Sequence, residues 1–251
     1  MARRKKIVLS KIPTTAPKGT DEKAIRKETK KITKKISELQ EIMLAERKQS
    51  LLVVFQGMDS SGKDGATRSV FGRCTPNGVH ATSFKKPTEI EFAHDFLWRC
   101  HKLAPEKGHI QVFIRSHYED VLIQRVHKWI KEDHVTKRIN AINAWEELLQ
   151  FDNNTTILKF YMHLSKKRQG EKLQERIDDP EKNWKHNPGD WEERKLWTKY
   201  MNAYQDVMNR SSVPWIIAPV DQRWYRNYFI AKKVLETMEG FKMKLPGLKT
   251  T

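Results

Sequence analysis

The sequence predicts an α/β fold: a five-stranded parallel sheet flanked by helices, with a phosphate-binding loop after the first strand. Three observations carry this expectation. Short apolar runs rich in β-branched residues recur at 51–55, 79–84, 110–114, 155–162 and 214–218. Stretches with apolar residues at helical spacing separate them, and strands alternating with helices favour a parallel sheet covered on both faces. The first run leads at once into glycines and a lysine spaced for a strand–loop–helix phosphate site.

Residues 1–20, with Ala2-Arg-Arg-Lys-Lys6 near their start and Pro13, Pro17 and Gly19 further on, read as a basic extended arm over the surface. From 21 to about 47, Ile25, Ile32, Ile36, Leu39 and Met43 repeat at helical spacing, which predicts an amphipathic helix packed on the core. Behind the strands, helices are expected at 65–73, 88–103, 119–131, 138–150, 190–209 and 224–239. The chain thus divides into the arm at 1–20 and a single domain at 21–251, within which 165–190 reads as a lid.

A chain of 251 residues can bury one substantial core. Its 48 Lys and Arg against 31 Asp and Glu give a formal charge of +17, which predicts a polyanionic partner. Cys74 and Cys100 are too few for a disulfide framework or a zinc site, as suits a reducing cytosol. No apolar run reaches membrane-spanning length, and the basic start lacks the apolar stretch of a secretory signal. A cytoplasmic protein without a membrane partner is the expectation. His94, His101, His109, His117 and His127 fit no metal-ligand spacing and read as polar-face or core histidines.

The most informative segment is Gln56-Gly-Met-Asp-Ser-Ser-Gly-Lys-Asp-Gly65. Gly57, Gly62 and Lys63 fit the spacing G-x-x-x-x-G-K between a buried strand and a helix. Glycines let backbone N–H groups converge on a phosphate, and the helix N-terminus adds positive potential. The expected cradle is Gly57, Ser60, Ser61, Gly62, Lys63, Asp64 and Gly65, with Lys63 reaching the outer phosphates as a point charge. Two acids are unusual here. Asp59 lies inside the loop, where a carboxylate would repel phosphate unless a divalent cation sat between them; it reads as a Mg²⁺ ligand or a base. Asp64 stands where Ser or Thr normally follows the lysine, and two readings stay open: a metal ligand, or a cap on the following helix.

A second constellation, Arg115-Ser-His-Tyr-Glu-Asp120, ends the strand at 110–114. Ligands gather at the carboxyl ends of parallel strands, so these residues should lie near Lys63. Arg115 reads as a phosphate clamp through its planar fork, or alternatively as the ion-pair partner of Glu119 or Asp120. The third, at 165–185, holds Lys166, Lys167, Arg168, Lys172, Arg176, Lys182 and Lys185. It reads as a mobile lid that brings charge onto a transferring phosphate, or as a basic helix face in solvent. Trp184 and Trp191 favour a segment that packs down on something.

With these segments in place, the chain resembles the second family of polyphosphate kinases from about Lys11 to Gly240. The matching pieces are the loop at 56–65, His94-Asp-Phe-Leu-Trp-Arg99, Arg115-Ser-His-Tyr-Glu-Asp-Val-Leu122, Arg176-Ile-Asp-Asp-Pro-Glu-Lys-Asn-Trp-Lys185 and Asp221-Gln-Arg-Trp-Tyr225. The resemblance implies a P-loop nucleoside-kinase-like fold, a parallel sheet flanked by helices with a helical lid, and a reversible, Mg²⁺-dependent (or Mn²⁺-dependent) transfer of phosphoryl groups between inorganic polyphosphate and nucleotides. On it, Asp59 is the metal-coordinating catalytic acid, Lys63 the phosphate-loop lysine, and Arg115 and Arg176 the arginines on the reacting phosphates. Lys85, Lys172 and Lys182 would line the phosphate path, and Arg99, Ser116, Tyr118, Glu119 and Asp120 would bind the nucleotide. Tyr118-Glu-Asp120 is similar to the class III members, which accept both mono- and diphosphates; diphosphate-only members tend to carry Asn-Arg in place of Glu119-Asp120. The implied partners are polyphosphate, the purine nucleotides AMP, ADP and ATP, extending to GDP and GTP, and further copies of the chain as a dimer or tetramer.

One departure stands out: the family usually has Asp or Asn before the Arg-Ser pair, and this chain has Ile114. One metal contact is then lost or taken over by Glu119 or Asp120. Three rival readings are an ATP-dependent nucleotide kinase, a regulatory homologue that binds polyphosphate without catalysis, and a nucleic-acid-binding protein. No recognised nucleic-acid-binding motif supports the last.

Overall fold

Strands β1 (Ser50–Gln56), β2 (Val79–Ser83), β3 (Ile110–Ile114), β4 (Thr155–His163) and β5 (Trp215–Pro219) form one parallel sheet in the order β2-β3-β1-β4-β5. The computed structural model describes residues 6–248; the basic run at 2–6 therefore lies, Lys6 apart, outside the described residues. Each expected strand is present to within one residue at either end.

All seven residues of β1 are buried, as a central strand covered on both faces requires. Alternate side chains serve two separate cores. Leu52 and Val54 join Phe113, Tyr161 and the helices α5 (Glu119–Val126), α6 (Glu132–Asn153) and α9 (Trp197–Arg210). Leu51, Val53 and Phe55 face α1 (Glu22–Glu46), α2 (Lys63–Phe71) and α10 (Arg223–Gly240). Helix α1 starts at Asp21, whose carboxylate accepts from the N–H groups of Lys23 and Ala24, and ends at Arg47 in the left-handed conformation (φ 53°).

Four helices differ from expectation. That expected at 119–131 ends at Val126, where His127 N closes back on Ile123 O and Lys128 turns left-handed (φ 59°). The stretch 88–103 is two single turns, α3 (Glu89–Phe92) and α4 (Trp98–His101), rather than one helix. Thr88 and Glu91 close a capping box on α3, and Asp95 restarts the chain by accepting from Leu97 N. Helix α6 begins at Glu132, six residues before 138, where Glu132 and Asp133 complement the helix dipole. The stretch 190–209 is split at Leu196 into α8 (Gly189–Lys195) and α9. The expected lid is helix α7 (Lys166–Asp178), capped by Ser165, followed by a 3₁₀ turn at Pro180–Lys185.

The arm is tied down. Leu9 is buried, Ile7 N and Leu9 N donate to Asn209 and Gln205, and Thr14 Oγ1 donates to Asp221. Among the described residues no helix is long and apolar enough to cross a membrane.

Register decides where the site lies. Phe55 pairs with both Ile114 and Phe160, so β1 and β3 end within one residue of each other while β4 runs on to His163, and their following loops open at one edge. Arg115 N donates to Phe55 O at 2.9 Å, which sets the segment after β3 beside the loop after β1.

Candidate active site

The loop after β1 is shaped by two glycines. Gly57 has φ +151° and lies so close to Met162 that a Cβ would meet its backbone oxygen at 2.9 Å. Gly62, at φ +89°, is the N-cap of α2, and a Cβ there would collide with the Arg226 guanidinium. Only glycine fits both demands. Lys63 folds beneath the loop, 6% exposed, with Nζ donating to the carbonyls of Gly57 at 2.8 Å and Met58 at 3.2 Å. Burial lowers its pKa and Asp59 opposes that shift. The hydroxyls of Ser60 and Ser61 are buried without a hydrogen-bond partner, polar groups that a bound oxyanion would satisfy. Asp64 is exposed in the first turn of α2; the cap position belongs to Gly62.

Asp59 and Arg115 form the centre of the cleft. Arg115 Nη2 donates to Asp59 Oδ1 at 2.5 Å, a partner that neither sequence reading of Arg115 offered. Arg115 holds φ at 61°, a conformation costly for a side chain of this size, which turns it back towards the loop. Burial works to raise the Asp59 pKa, and Lys63 and Arg115 outweigh it, so the carboxyl stays below its ordinary value. Glu119 shares this field: burial raises its pKa, against Arg115 and Lys63. Ile114 is buried in the core on the α1–α2 side and offers no ligand atom. Of the two acids expected to replace it, Glu119 faces Asp59 and Lys63, whereas Asp120 turns towards Arg99 and Gln124. Two hard carboxylates beside a phosphate loop suit Mg²⁺ or Mn²⁺.

Helix α7 roofs the loop. Gln169 Nε2 donates to Asp59 O at 3.2 Å, and Lys172 Nζ donates to Ser60 O at 3.2 Å. Burial and the neighbouring Arg226, Arg168 and Arg223 push the Lys172 pKa down to about 8. Arg226 is buried on Gly62 and Gly65, where burial and Arg223 hold its pKa at about 10. Arg176 Nη1 donates to Asp190 Oδ2 at 2.6 Å and to Lys185 O, close enough to Asp59 for their charges to interact. Lys182 pairs with Asp179 within its own turn at 2.6 Å, and Lys85 is exposed beyond β2. Trp184 is 79% exposed, so it does not pack down as the sequence suggested.

The expected nucleotide residues separate into three places. Arg99 and Asp120 face one another at 3.5 Å on the α3–α4 side, and Glu119 lies in the central cleft. Ser116 is fully buried, its Oγ accepting from Gln56 Nε2 and Tyr118 N. Tyr118 is a correction: it points into the core, fully buried, where its hydroxyl donates to Glu146 and accepts from Lys159 Nζ. A side chain with both polar valences filled inside the core cannot reach a nucleotide. The reading of the sequence passed over Gln169, Arg223 and Arg226. Arg226 had a legible signal: it occupies the position four residues before Ile230 on the buried stripe Ile230, Val234, Met238, where packing alone calls for an apolar residue.

The family model described as Polyphosphate kinase 2 (PPK2) matches residues 19–246. An AMP/ADP-polyphosphate phosphotransferase of Meiothermus ruber is 44% identical over 222 residues, 87% of this chain and 83% of that protein. An ADP-polyphosphate phosphotransferase of Rhodopseudomonas palustris is 40% identical over 227 residues, 84% of this chain and 78% of that protein. The crystal structure of Polyphosphate Kinase 2 from Arthrobacter aurescens superimposes with a TM-score of 0.94 at 35% identity, covering 98% of this chain and 89% of that one. On the loop, its flanking strand and helix, and these matches, the chain belongs to the polyphosphate kinase 2 family.

Proposed function

We propose that this protein is a polyphosphate-dependent nucleotide kinase, moving terminal phosphoryl groups reversibly between inorganic polyphosphate and AMP or ADP. The observation that carries the reading is the convergence of Lys63, Arg115 and Asp59 at one sheet edge beneath a basic roof. Phosphoryl transfer asks little covalent chemistry of a protein; positioning and charge neutralisation supply most of the catalysis. Lys63 and the loop N–H groups hold the transferring phosphate. Arg115 and Arg176 neutralise charge on its equatorial oxygens, and Lys172 and Arg226 carry the donor chain towards the loop. Lys85 and Lys182 extend that path at its rim.

Asp59, with Glu119 beside it, is the proposed holder of Mg²⁺ (Mn²⁺ being the alternative), which when bound would screen the carboxylates from the phosphates and polarise the phosphoryl oxygens. Arg99, Asp120 and Glu119 take the acceptor nucleotide. The charge of +17 fits a polyanionic donor carrying about one negative charge per phosphate unit. The similarity to a relative named as an AMP/ADP-polyphosphate phosphotransferase supports an acceptor range covering mono- and diphosphates, and GDP and GTP are proposed as further nucleotides. We also propose a cytoplasmic homo-oligomer, a basic arm at 1–20 and a lid at 165–190 that closes on substrate.

Comparing long-chain polyphosphate with ATP as donor to AMP and ADP tests the reading. Efficient transfer from polyphosphate supports it; transfer from ATP alone would mean an ordinary nucleotide kinase.

A further inference from the structure

Residues 12–16 of the arm run extended across the carboxyl ends of β4 and β5. Ile12, Thr14 and Ala16 are half-buried while Lys11, Pro13, Thr15 and Pro17 are exposed, the alternation of a chain lying with one face down. Each of the three inward residues is bound at the sheet edge that carries the phosphate loop. His163 Nε2, at the end of β4, donates to Ile12 O at 3.0 Å. Asp221 N donates to Thr14 O at 3.0 Å, and Ala16 N donates to Gln222 Oε1 at 2.7 Å.

Asp221 joins this arm to the two helices over the loop. Its Oδ2 accepts from Thr14 Oγ1 and its Oδ1 from Ser165 N, both at 2.8 Å. Ser165 is the N-cap of α7, its Oγ accepting from Arg168 N, and α7 brings Gln169 and Lys172 onto the carbonyls of Asp59 and Ser60. Two residues after Asp221 begins α10, whose Arg226 stands on Gly62 and Gly65. The charge of Asp221 also acts on Lys172, opposite in sign to Arg226, Arg168 and Arg223. One carboxylate is thus held at both oxygens, by the arm on one side and by the root of α7 on the other. Charge-assisted bonds at both oxygens fix its orientation; without the hydroxyl it is free to turn away from Ser165 N.

We propose that this stretch is a strap across the root of the lid, and that Asp221 is the positioning residue through which it acts, setting where α7 and α10 hold Lys172 and Arg226 against the phosphate loop. The inference rests on the lid and donor path proposed above and adds the arm to the working parts of the site. The strap touches no reacting group; its effect reaches the polyphosphate side of the cleft through the two helices it ties together.

The test measures Michaelis constants for long-chain polyphosphate and for AMP in the wild type, Thr14→Val and Thr14→Ser. Valine keeps the branched shape and loses the hydroxyl, whereas serine keeps the hydroxyl. Thr14→Val should raise the constant for polyphosphate about threefold or more, part of the effect of a hydrogen bond to a charged group. The constant for AMP should stay unmoved, and Thr14→Ser should restore that for polyphosphate. An arm that served stability alone would lower the fraction of active enzyme and move neither constant. A polyphosphate constant unchanged in Thr14→Val, raised equally in Thr14→Ser, or raised together with that for AMP would overturn the strap while leaving polyphosphate-dependent transfer intact. Should the wild type transfer nothing from polyphosphate, the kinase reading fails separately, and amide hydrogen exchange decides the strap. Exchange at Ser165 faster in Thr14→Val than in the wild type and Thr14→Ser, with β4 unchanged, supports it; equal exchange in all three, or exchange quickened along β4 as well, overturns it.

Discussion

The Arg115 guanidinium is held by the Asp59 carboxylate at 2.5 Å, each spent on the other. A phosphate would claim the arginine and a cation the carboxylate, so substrate and metal together exchange one internal ion pair for two external ones. Neither charge has to be brought into the cleft; both are already there.

Asp59→Asn follows from that pairing. It removes the carboxylate from the metal and releases Arg115 towards phosphate. Turnover should fall by about 10²-fold or more, while the affinity for polyphosphate holds or tightens. Measuring both at two Mg²⁺ concentrations checks it; unchanged turnover at ordinary Mg²⁺ would contradict the metal role.

Lys172 predicts a pH dependence. Its pKa of about 8 means the free enzyme loses this positive charge as pH rises through that value. A polyanion binds the charged form better, so the Michaelis constant for polyphosphate should climb above pH about 8. Binding between that pH and the ordinary lysine value should take up protons. Lys172→Arg, charged throughout, should flatten the profile; an unaltered profile would remove Lys172 from the phosphate path.

Arg176 and the exposed lysines of α7 should behave oppositely. Arg176→Lys keeps the charge and loses the planar fork that holds Asp190, so turnover should drop sharply with little change in polyphosphate binding. Lys166→Glu with Lys167→Glu should weaken polyphosphate binding and its salt dependence, with a smaller loss of turnover at saturating donor. Equal effects on both parameters would leave α7 a plain basic surface.

Behind Tyr118 lies a stability prediction. Lys159 donates to Glu146 at 2.6 Å, both side chains fully buried, with His117 at 3.3 Å from the same carboxylate. Glu146→Gln removes the carboxylate that Lys159, Tyr118 and His117 share and should cost about 3–5 kcal/mol in chemical denaturation. A loss of under about 1 kcal/mol for Glu146→Gln would show that the pair is not needed.

The sheet and the phosphate loop were legible because their signals are local: β-branched runs, glycine spacing and a lysine. Side-chain partnership across elements was not. Nothing in the sequence ties Arg115 to Asp59, 56 positions apart, and the pairing depends on β1 and β3 ending within one residue of each other. Tyr118 was misread because a polar residue at a strand end reads as a site residue, while its hydroxyl is taken by Glu146 and Lys159 from α6 and β4. The break within 88–103 was hidden because apolar spacing continues through it, although Thr88, Glu91 and Asp95 mark its starts. Arg226 was readable as a charged residue on an apolar helical stripe and was passed over for the more familiar loop.

In the proposed function Lys63 holds the phosphate that polyphosphate gives up. AMP incubated with polyphosphate and Mg²⁺ and followed over time should yield ADP and then ATP with the wild type, and about 10²-fold more slowly with Lys63→Ala. Near wild-type rates in purified, folded Lys63→Ala, or no phosphorylation of AMP by the wild type, would contradict it.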